Sequence, residues 1–525
     1  MTSNAGPCLL GAVDVLLINP NRVQMPWPVV PVGLCLVATA LERAGHRVEL
    51  LDLTFARNLT VELRRRARRG TLPRVVAVGV RNIDNCNFER PVFFLEELRD
   101  AVIRPLRVLA PDSVLVIGGA GVNVHPEAVL EYLEADLAAV GEGETVMPAL
   151  VAALGAGRDP RTVPGIVGRR DGGEAGDETA ATPATVEPVR GWAEGFGLPS
   201  EAWRWVDYQR YAARGTPYPL QTKRGCALKC SYCVYNAIEG RQYRLRDPVR
   251  VVDEVAEAAA HGVRHFAFVD STFNLPRRHA VALCEEFARR RLPVELSATG
   301  LNPVGVTPDF VALMERAGFQ SVMCTPESAA ETTLASLQKG FGKEAIAEAA
   351  RALRGSRMSS WWFFLLGAPG ETLETVHETL AFCEEHIPPA HMVLFSTGIR
   401  VYPGTPLERY CRETGWFGQS DRLLEPSWYL SPELDLAAHY RMLADAEERH
   451  PNWMTNAETE VSPRFARAMK LGFRLLGWHG PFWVHLPKIL AFSNRTGARR
   501  RGLELVAESI RLASTIRYRR ALSPR

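Results

Sequence analysis

The sequence predicts an α/β protein with a doubly wound parallel sheet, a partial (β/α)6 TIM-type barrel and a helical C-terminal region. Three observations predict this fold. Short apolar runs alternate with helical patterns over about the first 165 residues, the same alternation returns between residues 219 and 407, and the remainder looks helical, basic and aromatic. Alternation of this kind is typical of parallel sheets and barrels.

The first sheet is predicted from five apolar runs of strand length. These runs are residues 13–19, 48–53, 75–80, 114–117 and 137–140. Residues 32–44 predict a helix, which Gly45 would cap at its carboxyl end. Ligands bind such sheets beyond the carboxyl ends of the strands. We therefore expect a ligand site among the loop segments, which are residues 19–27, 81–85, 118–122 and 141–145.

The second α/β region is predicted from six further strands with helical patterns between them. These strands are residues 218–222, 266–269, 294–297, 321–324, 362–366 and 392–395. Strand–helix repetition over this length suits a complete or partial barrel. A stretch without periodicity, residues 169–185, precedes it and predicts a flexible connection.

Length and composition bound the remaining expectations. A chain of 525 residues exceeds what one hydrophobic core supports, so we expect two to three domains. The predicted boundaries are 1–168 for the first α/β domain, 169–215 for a linker, 216–420 for the barrel and 421–525 for the helical region. A net charge of +3 does not indicate a nucleic-acid partner. The sequence shows neither a signal peptide nor an integral membrane segment, so we expect a cytoplasmic protein.

Ten cysteines are present, and three of them cluster. The scattered seven, which we interpret as buried thiols, are Cys8, Cys35, Cys86, Cys284, Cys324, Cys383 and Cys411. Cys226, Cys230 and Cys233 share one loop after the first barrel strand, where barrel enzymes keep their chemistry. Three thiolates cannot fill a [4Fe–4S] cluster that takes four ligands, so one iron would stay open. The alternative is a zinc site, which needs a fourth ligand.

The motif Cys226-Ala-Leu-Lys-Cys230-Ser-Tyr232-Cys233 resembles the signature of the radical S-adenosylmethionine (SAM) superfamily, in which an aromatic residue precedes the third cysteine. In that family the open iron chelates SAM, and one electron cleaves it to a 5′-deoxyadenosyl radical. Segments resembling the family's SAM-contacting elements follow in order. The resemblance implies SAM contacts from Tyr232, Asp270, Glu327, Ser328, Gly367 and Arg400. It also implies an external electron donor of the flavodoxin or ferredoxin type.

The N-terminal α/β domain resembles the cobalamin-binding domain of the B12-dependent radical SAM enzymes. The resemblance implies cobalamin contacts from Asn19, Gly118, Gly119, Gly121, Gly141 and Glu142. A nicotinamide site would instead require a G-x-G-x-x-G motif after the first strand, where the sequence reads Asn-Pro-Asn-Arg-Val-Gln. The Asp-x-His-x-x-Gly loop that supplies a lower cobalt ligand in many cobalamin proteins is absent. Loss of cobalamin binding therefore stays open.

The family resemblance implies a class B type methyltransferase that methylates an unactivated carbon of a small molecule, which we expect to be a natural product of secondary metabolism. Cobalamin-assisted ring contraction, cyclisation or rearrangement is the first alternative. A methylthiotransferase would need three N-terminal cysteines in loops, whereas Cys35 lies in a predicted helix. A non-catalytic cobalamin- or SAM-sensing protein is the alternative from another class. The aromatic residues 469–492 predict a helical cap on the barrel, or else a segment lying on a membrane surface.

Overall fold

The computed structural model describes residues 14–24, 27–169 and 202–455. The predicted flexible stretch beyond residue 169 and the aromatic segment 469–492 lie outside these ranges. None of the helices within them is both long and apolar enough to cross a membrane.

The N-terminal domain contains the predicted doubly wound sheet. Its strands are β1 Val15–Asn19, β2 Val48–Asp52, β3 Val75–Gly79, β4 Val114–Gly118, β5 Leu137–Ala139 and β6 Ile166–Gly168. The order is β2-β1-β3-β4-β5-β6, with β6 antiparallel to β5 and every other pair parallel. The five predicted strands are confirmed, because strands buried on both faces read as continuous apolar runs. The short edge strand β6 was not predicted.

Helices cover both faces of this sheet. They are α1 Val32–Arg43, α2 Leu59–Ala67, α3 Phe94–Leu98, the π-helix Arg99–Ile103, α4 Arg104–Leu109, α5 Ala120–Val124, α6 Pro126–Leu133, α7 Gly143–Gly155 and the 3₁₀ turn Pro160–Thr162. Helix α1 ends as predicted at Gly45, whose φ is +91°. The Gly45 and His46 amides donate to the carbonyls of Glu42 and Leu41 in a Schellman motif.

Two short helices connect the domains, α8 Ala202–Trp205 and α9 Tyr208–Ala212. The Tyr211 hydroxyl donates to Asp52 Oδ2 at 2.7 Å, and its ring packs edge-on against Phe55. The described end of the predicted linker is therefore folded against the first sheet.

The second domain is a parallel barrel of seven strands. They are β7 Tyr218–Leu220, β10 His265–Phe268, β11 Glu295–Leu301, β12 Phe319–Glu327, β13 Ser359–Leu366, β14 Met392–Thr397 and β17 Trp453–Thr455. They pair in the order β17-β14-β13-β12-β11-β10-β7. The six predicted strands are confirmed. Strand β17 adds a seventh, from a region whose prediction was helical, because three residues are too short for a recognisable period.

The other elements of this domain surround the strands. They are β8 Lys223–Arg224, α10 Tyr235–Ile238, β9 Arg244–Leu245, α11 Pro248–Ala260, α12 Arg277–Arg290, α13 Pro308–Ala317, α14 Glu331–Ser336, α15 Lys343–Arg354, α16 Leu373–His386, β15 Ile399–Arg400, α17 Pro406–Glu413, β16 Trp428–Tyr429 and α18 Leu436–Arg449. On β13, Trp362 and Phe364 pack in the core that includes the helices. Trp361 and Phe363 alternate with them and face the barrel interior.

A segment of the N-terminal domain closes the open side of the partial barrel. Trp27 packs against the interior cluster that contains Trp361 and Met454. The next carbonyl, that of Pro28, accepts a hydrogen bond of 2.7 Å from Thr216 Oγ1, just before β7. Because β7 and β17 are the two sheet edges, this segment lies between them.

Candidate active site between the sheet and the barrel

The three clustered cysteines lie on the loop between β8 and α10. Cys226 and Cys230 are 7% and 9% exposed, and Cys233 is half-buried. The Cys226 amide donates to the Gly240 carbonyl at 2.9 Å, and the Cys233 amide donates to the Cys230 carbonyl at 3.3 Å. The loop thus keeps three thiols together beyond the carboxyl end of the first barrel strand.

Gly225 determines the path of the chain into this loop. Its φ is +93°, and a Cβ atom there would overlap the carbonyl oxygen of Gln242. Its amide donates to Glu239 Oε2 at 3.1 Å. Only glycine satisfies both the backbone angle and the close approach.

The electrostatics of the loop fit an iron–sulfur cluster. Burial raises the pKa of the Cys230 thiol, and burial together with the neighbouring cysteines raises the pKa of Cys233 to about 11. Cys230 and Cys233 therefore ionise readily only when cations stabilise their thiolates. In the part of the chain that the structure describes, no three His, Cys, Asp or Glu side chains converge tightly enough for one metal ion. A cluster binds each cysteine at a separate iron, so the spacing fits a cluster better than a single zinc ion.

Tyr232 and Glu327 form a polar group with Lys339 next to the cysteines. The Tyr232 hydroxyl donates to Glu327 Oε1 at 2.9 Å, and Lys339 Nζ lies 3.4 Å from that oxygen. Glu327 ends β12 with a φ of +71°, which is strained for a residue with a side chain. Lys339 lowers, and Glu327 raises, the pKa of the nearby Cys230. A carboxylate and an ammonium group thus lie beside the thiols. In the sequence, Lys339 belongs with Glu327 and Ser328 to a segment that resembles one of the family's SAM-contacting elements.

Asp270 and Ser328 have partners within the protein. Asp270 accepts hydrogen bonds from the Thr222 amide at 2.7 Å and from the Thr222 hydroxyl at 2.6 Å, and it forms a fully buried ion pair with Lys223. It thereby holds the strand end that leads into the cysteine loop. Ser328 is fully buried, and its hydroxyl interacts with Thr379 Oγ1 at 3.2 Å.

Gly367 forms the turn after β13. Its φ is +99°, and a Cβ atom would lie 2.5 Å from Leu430 Cδ1. The amides of Gly367 and Ala368 donate to the carboxylate of Glu371. Burial raises the pKa of Glu371 to about 7. This glycine therefore serves a tightly packed turn at the mouth of the barrel.

Arg400 joins the barrel to the N-terminal domain. Its Nε donates to Asp84 Oδ2 at 2.7 Å, and both side chains are almost completely buried. Its terminal nitrogens donate to backbone carbonyls, among them Leu423 at 3.1 Å and Leu424 at 3.2 Å. All three guanidinium nitrogens are thus bonded within the protein.

The strand order of the first sheet locates its ligand crevice. Strand β2 lies on one side of β1, and the later strands β3 to β6 follow on the other side. The loops after the parallel strands β1 and β3 therefore lead to opposite faces of the sheet and leave an opening between them. Gly119 and Gly121 line the neighbouring loop, where Cβ atoms would collide with the Val80 carbonyl and side chain. Gly118 has room for a Cβ atom against Ala139. Gly119 and Gly121 therefore allow two loops at the crevice to pack closely.

Three other predicted cobalamin contacts also have protein partners. The Asn19 amide donates to Asp52 Oδ1 and Thr54 Oγ1, each at 2.8 Å. Gly141 has a φ of +99°, and its amide donates to Asn123 Oδ1 at 2.9 Å. The carboxylate of Glu142 faces the cysteine-loop hairpin.

Glu142 forms an ion-pair network across the domains. It pairs with Arg224 at 3.1 Å and with Arg244 at 2.6 Å, and Glu144 also pairs with Arg224. Both carboxylates are 9% exposed. The sequence indicated a role for Arg224 only through its position two residues before Cys226. Its pairing with Glu142 and Glu144 could not be inferred, because these residues lie far from it in the sequence.

The carboxyl ends of the sheet and the barrel face each other. In the loop after β3, Cys86 Sγ lies 2.9 Å from the Tyr402 hydroxyl, and Glu89 accepts a hydrogen bond of 3.1 Å from the Tyr440 hydroxyl. Tyr402 follows β15, and Tyr440 lies on α18. The crevice of the first sheet therefore opens toward the mouth of the barrel.

Arg81 and Tyr235 lie near each other at this junction. Tyr235 is 45% exposed, yet burial raises its pKa to about 12. Arg81 is also exposed, yet burial lowers its pKa, and the charge of each affects the other. Arg81 follows β3 at the crevice and Tyr235 opens α10 directly after the cysteine loop, so the crevice loop and the cysteine loop lie next to each other.

Comparisons with known proteins agree with this arrangement. Residues 23–151 match the B12 binding domain family, and residues 220–383 match the Radical SAM superfamily, together more than half of the chain. Tryptophan 2-C-methyltransferase of Streptomyces laurentii is 29% identical over 74% of this chain and 73% of that protein. Anaerobic magnesium-protoporphyrin IX monomethyl ester cyclase of Rubrivivax gelatinosus is 27% identical over 71% of this chain and 66% of that protein.

A solved structure resembles nearly the whole chain. The radical S-adenosylmethionine methyltransferase TsrM from Kitasatospora setae, with cobalamin and a [4Fe–4S] cluster bound, superposes with a TM-score of 0.75. It is 26% identical and covers 95% of this chain and 99% of that chain. The chain thus belongs to the cobalamin-dependent radical SAM enzymes, whose cofactors are cobalamin, a [4Fe–4S] cluster and SAM.

Proposed function

We propose that this protein is a methyltransferase that transfers a methyl group to an unactivated carbon of a small molecule. The observation that carries the proposal is the proximity of the loop after β3, at the crevice of the first sheet, to the three-cysteine loop. Two cofactors held on facing domains can act on one substrate only when their sites open into the same space. When bound, the cluster supplies an electron to SAM, and cobalamin carries the methyl group.

We assign the cluster ligands to Cys226, Cys230 and Cys233. Their loop is fixed by Gly225 and by the ion pair between Lys223 and Asp270, which together hold the thiols on the barrel side of the domain junction. Asp270 acts in this proposal as a positioning residue.

We assign the amino-acid part of SAM to the polar group beside the thiols. Glu327 can accept hydrogen bonds from an ammonium group, and Lys339 can pair with a carboxylate. Tyr232 orients Glu327 through its 2.9 Å hydrogen bond. We do not retain Arg400 and Ser328 as contacts, since neighbouring protein groups already bind their side chains.

The substrate class follows from the relatives rather than from the site. One relative is named for methylation of tryptophan, and TsrM has been solved with tryptophan and a SAM analogue bound. We therefore propose a small organic molecule of secondary metabolism as substrate, an electron donor of the flavodoxin or ferredoxin type, and a cytoplasmic location.

Cyclisation without methyl transfer is the second candidate. The similarity to the magnesium-protoporphyrin cyclase favours it, since that relative covers a comparable share of the chain. S-adenosylhomocysteine distinguishes the two reactions, because it forms when SAM donates a methyl group and does not form when SAM is only cleaved reductively.

The test is anaerobic reconstitution of the full chain with iron, sulfide and hydroxocobalamin, followed by SAM and a reductant. We expect bound corrinoid, the absorption of a [4Fe–4S] cluster, and both 5′-deoxyadenosine and S-adenosylhomocysteine. Cys230→Ala should lose the cluster and 5′-deoxyadenosine, whereas Cys284→Ala, a buried thiol on α12, should keep both.

Each other outcome contradicts a defined part of the proposal. Formation of 5′-deoxyadenosine without retained corrinoid would contradict both the binding of cobalamin and the transfer of a methyl group. Reductive cleavage without S-adenosylhomocysteine would favour cyclisation or rearrangement. A protein that binds corrinoid and SAM but forms no product from SAM would be a sensor rather than an enzyme.

A further inference from the structure

A hairpin brings one tyrosine next to the cysteine loop. Strands β8 and β9 are antiparallel, with Arg224 opposite Arg244. Continuing this register by one residue sets Tyr243 opposite Gly225, immediately before Cys226. The contact of Gly225 with the Gln242 carbonyl and the hydrogen bond from Cys226 to Gly240 hold the two segments together beyond the paired strands.

The Tyr243 hydroxyl is enclosed beside the Cys226 side chain. Its oxygen is buried, and within residues 202–455 and the other described ranges no hydrogen-bond partner in good geometry reaches it. The groups with which it interacts are the Cys226 side chain and the Ala227 backbone. A phenol hydroxyl can donate one hydrogen bond.

An enclosed hydroxyl without a strong partner needs an explanation, because buried polar groups are nearly always paired. A neutral thiol is a weak acceptor, whereas a thiolate accepts a strong, charge-assisted hydrogen bond. Cys226 becomes a thiolate when it binds iron. A Cys226 thiolate bound to iron would therefore be a stronger acceptor for the Tyr243 hydroxyl than the free thiol beside which it lies.

We propose that the Tyr243 hydroxyl donates a hydrogen bond to the Cys226 sulfur of the bound cluster and thereby raises the reduction potential of the cluster. This role rests on the proposed function, since it requires Cys226 as a cluster ligand. One-electron reduction adds negative charge that the ligand sulfurs share, so the hydrogen bond is stronger in the reduced state. Hydrogen bonds to the sulfurs are among the factors that set cluster potentials. Tyr243 is thus a tuning residue that does not contact SAM or substrate.

The test is a measurement of the cluster's midpoint potential in the reconstituted full-length protein without SAM. The protein is titrated with dithionite, and electron paramagnetic resonance monitors the fraction of reduced cluster. Tyr243→Phe keeps the ring and removes only the hydroxyl. We expect the equilibrium constant for reduction to fall by up to about tenfold, which is about 59 mV for one electron. Tyr208→Phe is the matched control, because it removes a buried hydroxyl that bonds to the Thr216 carbonyl instead. The control should leave the potential unchanged.

Incorporation of 3-fluorotyrosine at position 243 provides a second test. This residue keeps the shape of the site and is a stronger donor, so the potential should rise. Equal potentials for wild type and Tyr243→Phe, at equal iron and sulfide content, would overturn the proposal, as would a fall in potential with fluorotyrosine. Failure of the wild type to assemble a cluster would overturn the proposed function, and this proposal with it.

Discussion

Replacing Arg400 by glutamine distinguishes an interdomain role from the SAM contact that the sequence predicts. Arg400 Nε lies 2.7 Å from Asp84 Oδ2, with side-chain exposures of 3% and 0%. Its other nitrogens donate to the carbonyls of Val401, Leu423 and Leu424. Arg400→Gln would leave the Asp84 carboxylate buried without its cation.

The magnitude follows from burial. Removing one partner of a buried ion pair costs about 3–5 kcal/mol, because the remaining charge is uncompensated in a medium of low polarity. Arg422 and Glu131 form an ion pair between the same two domains, but both side chains are 65% exposed. Exposed pairs contribute roughly 0–1 kcal/mol, so Arg422→Gln is the matched control.

The assay combines thermal unfolding with calorimetric SAM binding to the reconstituted protein. In domains of 150–250 residues, each kcal/mol shifts the midpoint by about 2–4 °C, so Arg400→Gln should lower the first midpoint by roughly 6 °C or more. Arg422→Gln should change it by no more than about 4 °C. Because the described residues alone form two domains, midpoints rather than a single unfolding free energy are compared.

Two results would refute this reasoning. Equal midpoints for Arg400→Gln and Arg422→Gln would show that the buried pair does not stabilise the domain interface. A dissociation constant for SAM raised more than about tenfold with an unchanged midpoint would instead support the SAM contact. We expect an affinity for SAM close to that of the wild type.

Two further predictions concern the cysteine loop and the barrel core. Gly225→Ala should lose most of the bound cluster, measured as iron per protein, because the added Cβ atom would overlap the Gln242 carbonyl. Gly262→Ala is the control and should retain the cluster, since Gly262 has a similar φ of +90° but open space around it. Equal iron contents would contradict this. Burial lowers the pKa of His439 to about 4, beside Thr397 Oγ1 at 3.0 Å. The unfolded chain then binds more protons between pH 6.5 and 4, so stability should fall as the pH falls through this window. His439→Gln should flatten the dependence of the unfolding midpoint on pH, and an unchanged slope would exclude His439 as its source.

Much of the fold could be predicted because its elements carry local periodic signals. The run before Asn19 and the run that contains Trp362 and Phe364 are apolar over strand length, and Gly45 marks a helix end. Parallel strands buried on both faces produce such runs without any knowledge of the partner strands. The short edge strands β6 and β17 were missed, since three residues do not define a period.

The candidate site was predictable only where its residues lie close in the sequence or match a family motif. Tyr232 and Glu327, predicted as SAM contacts, do lie within 2.9 Å of each other. Glu142, by contrast, pairs with Arg224 and Arg244 of the cysteine-loop hairpin. A motif identifies a residue, but it does not show which neighbour its side chain binds.

The sequence by itself determined the fold class, the three-cysteine loop and the family of this protein. These depend on apolar periodicity and on spacings within a few residues, and such local patterns can be recognised without knowledge of distant contacts. Only the tertiary structure decided that Arg400 binds Asp84, 316 residues away, and that the Tyr243 hydroxyl lies beside Cys226. Side chains of this kind are satisfied by whichever partners folding brings near, and in the buried interior those partners determine what each charge and hydroxyl can do.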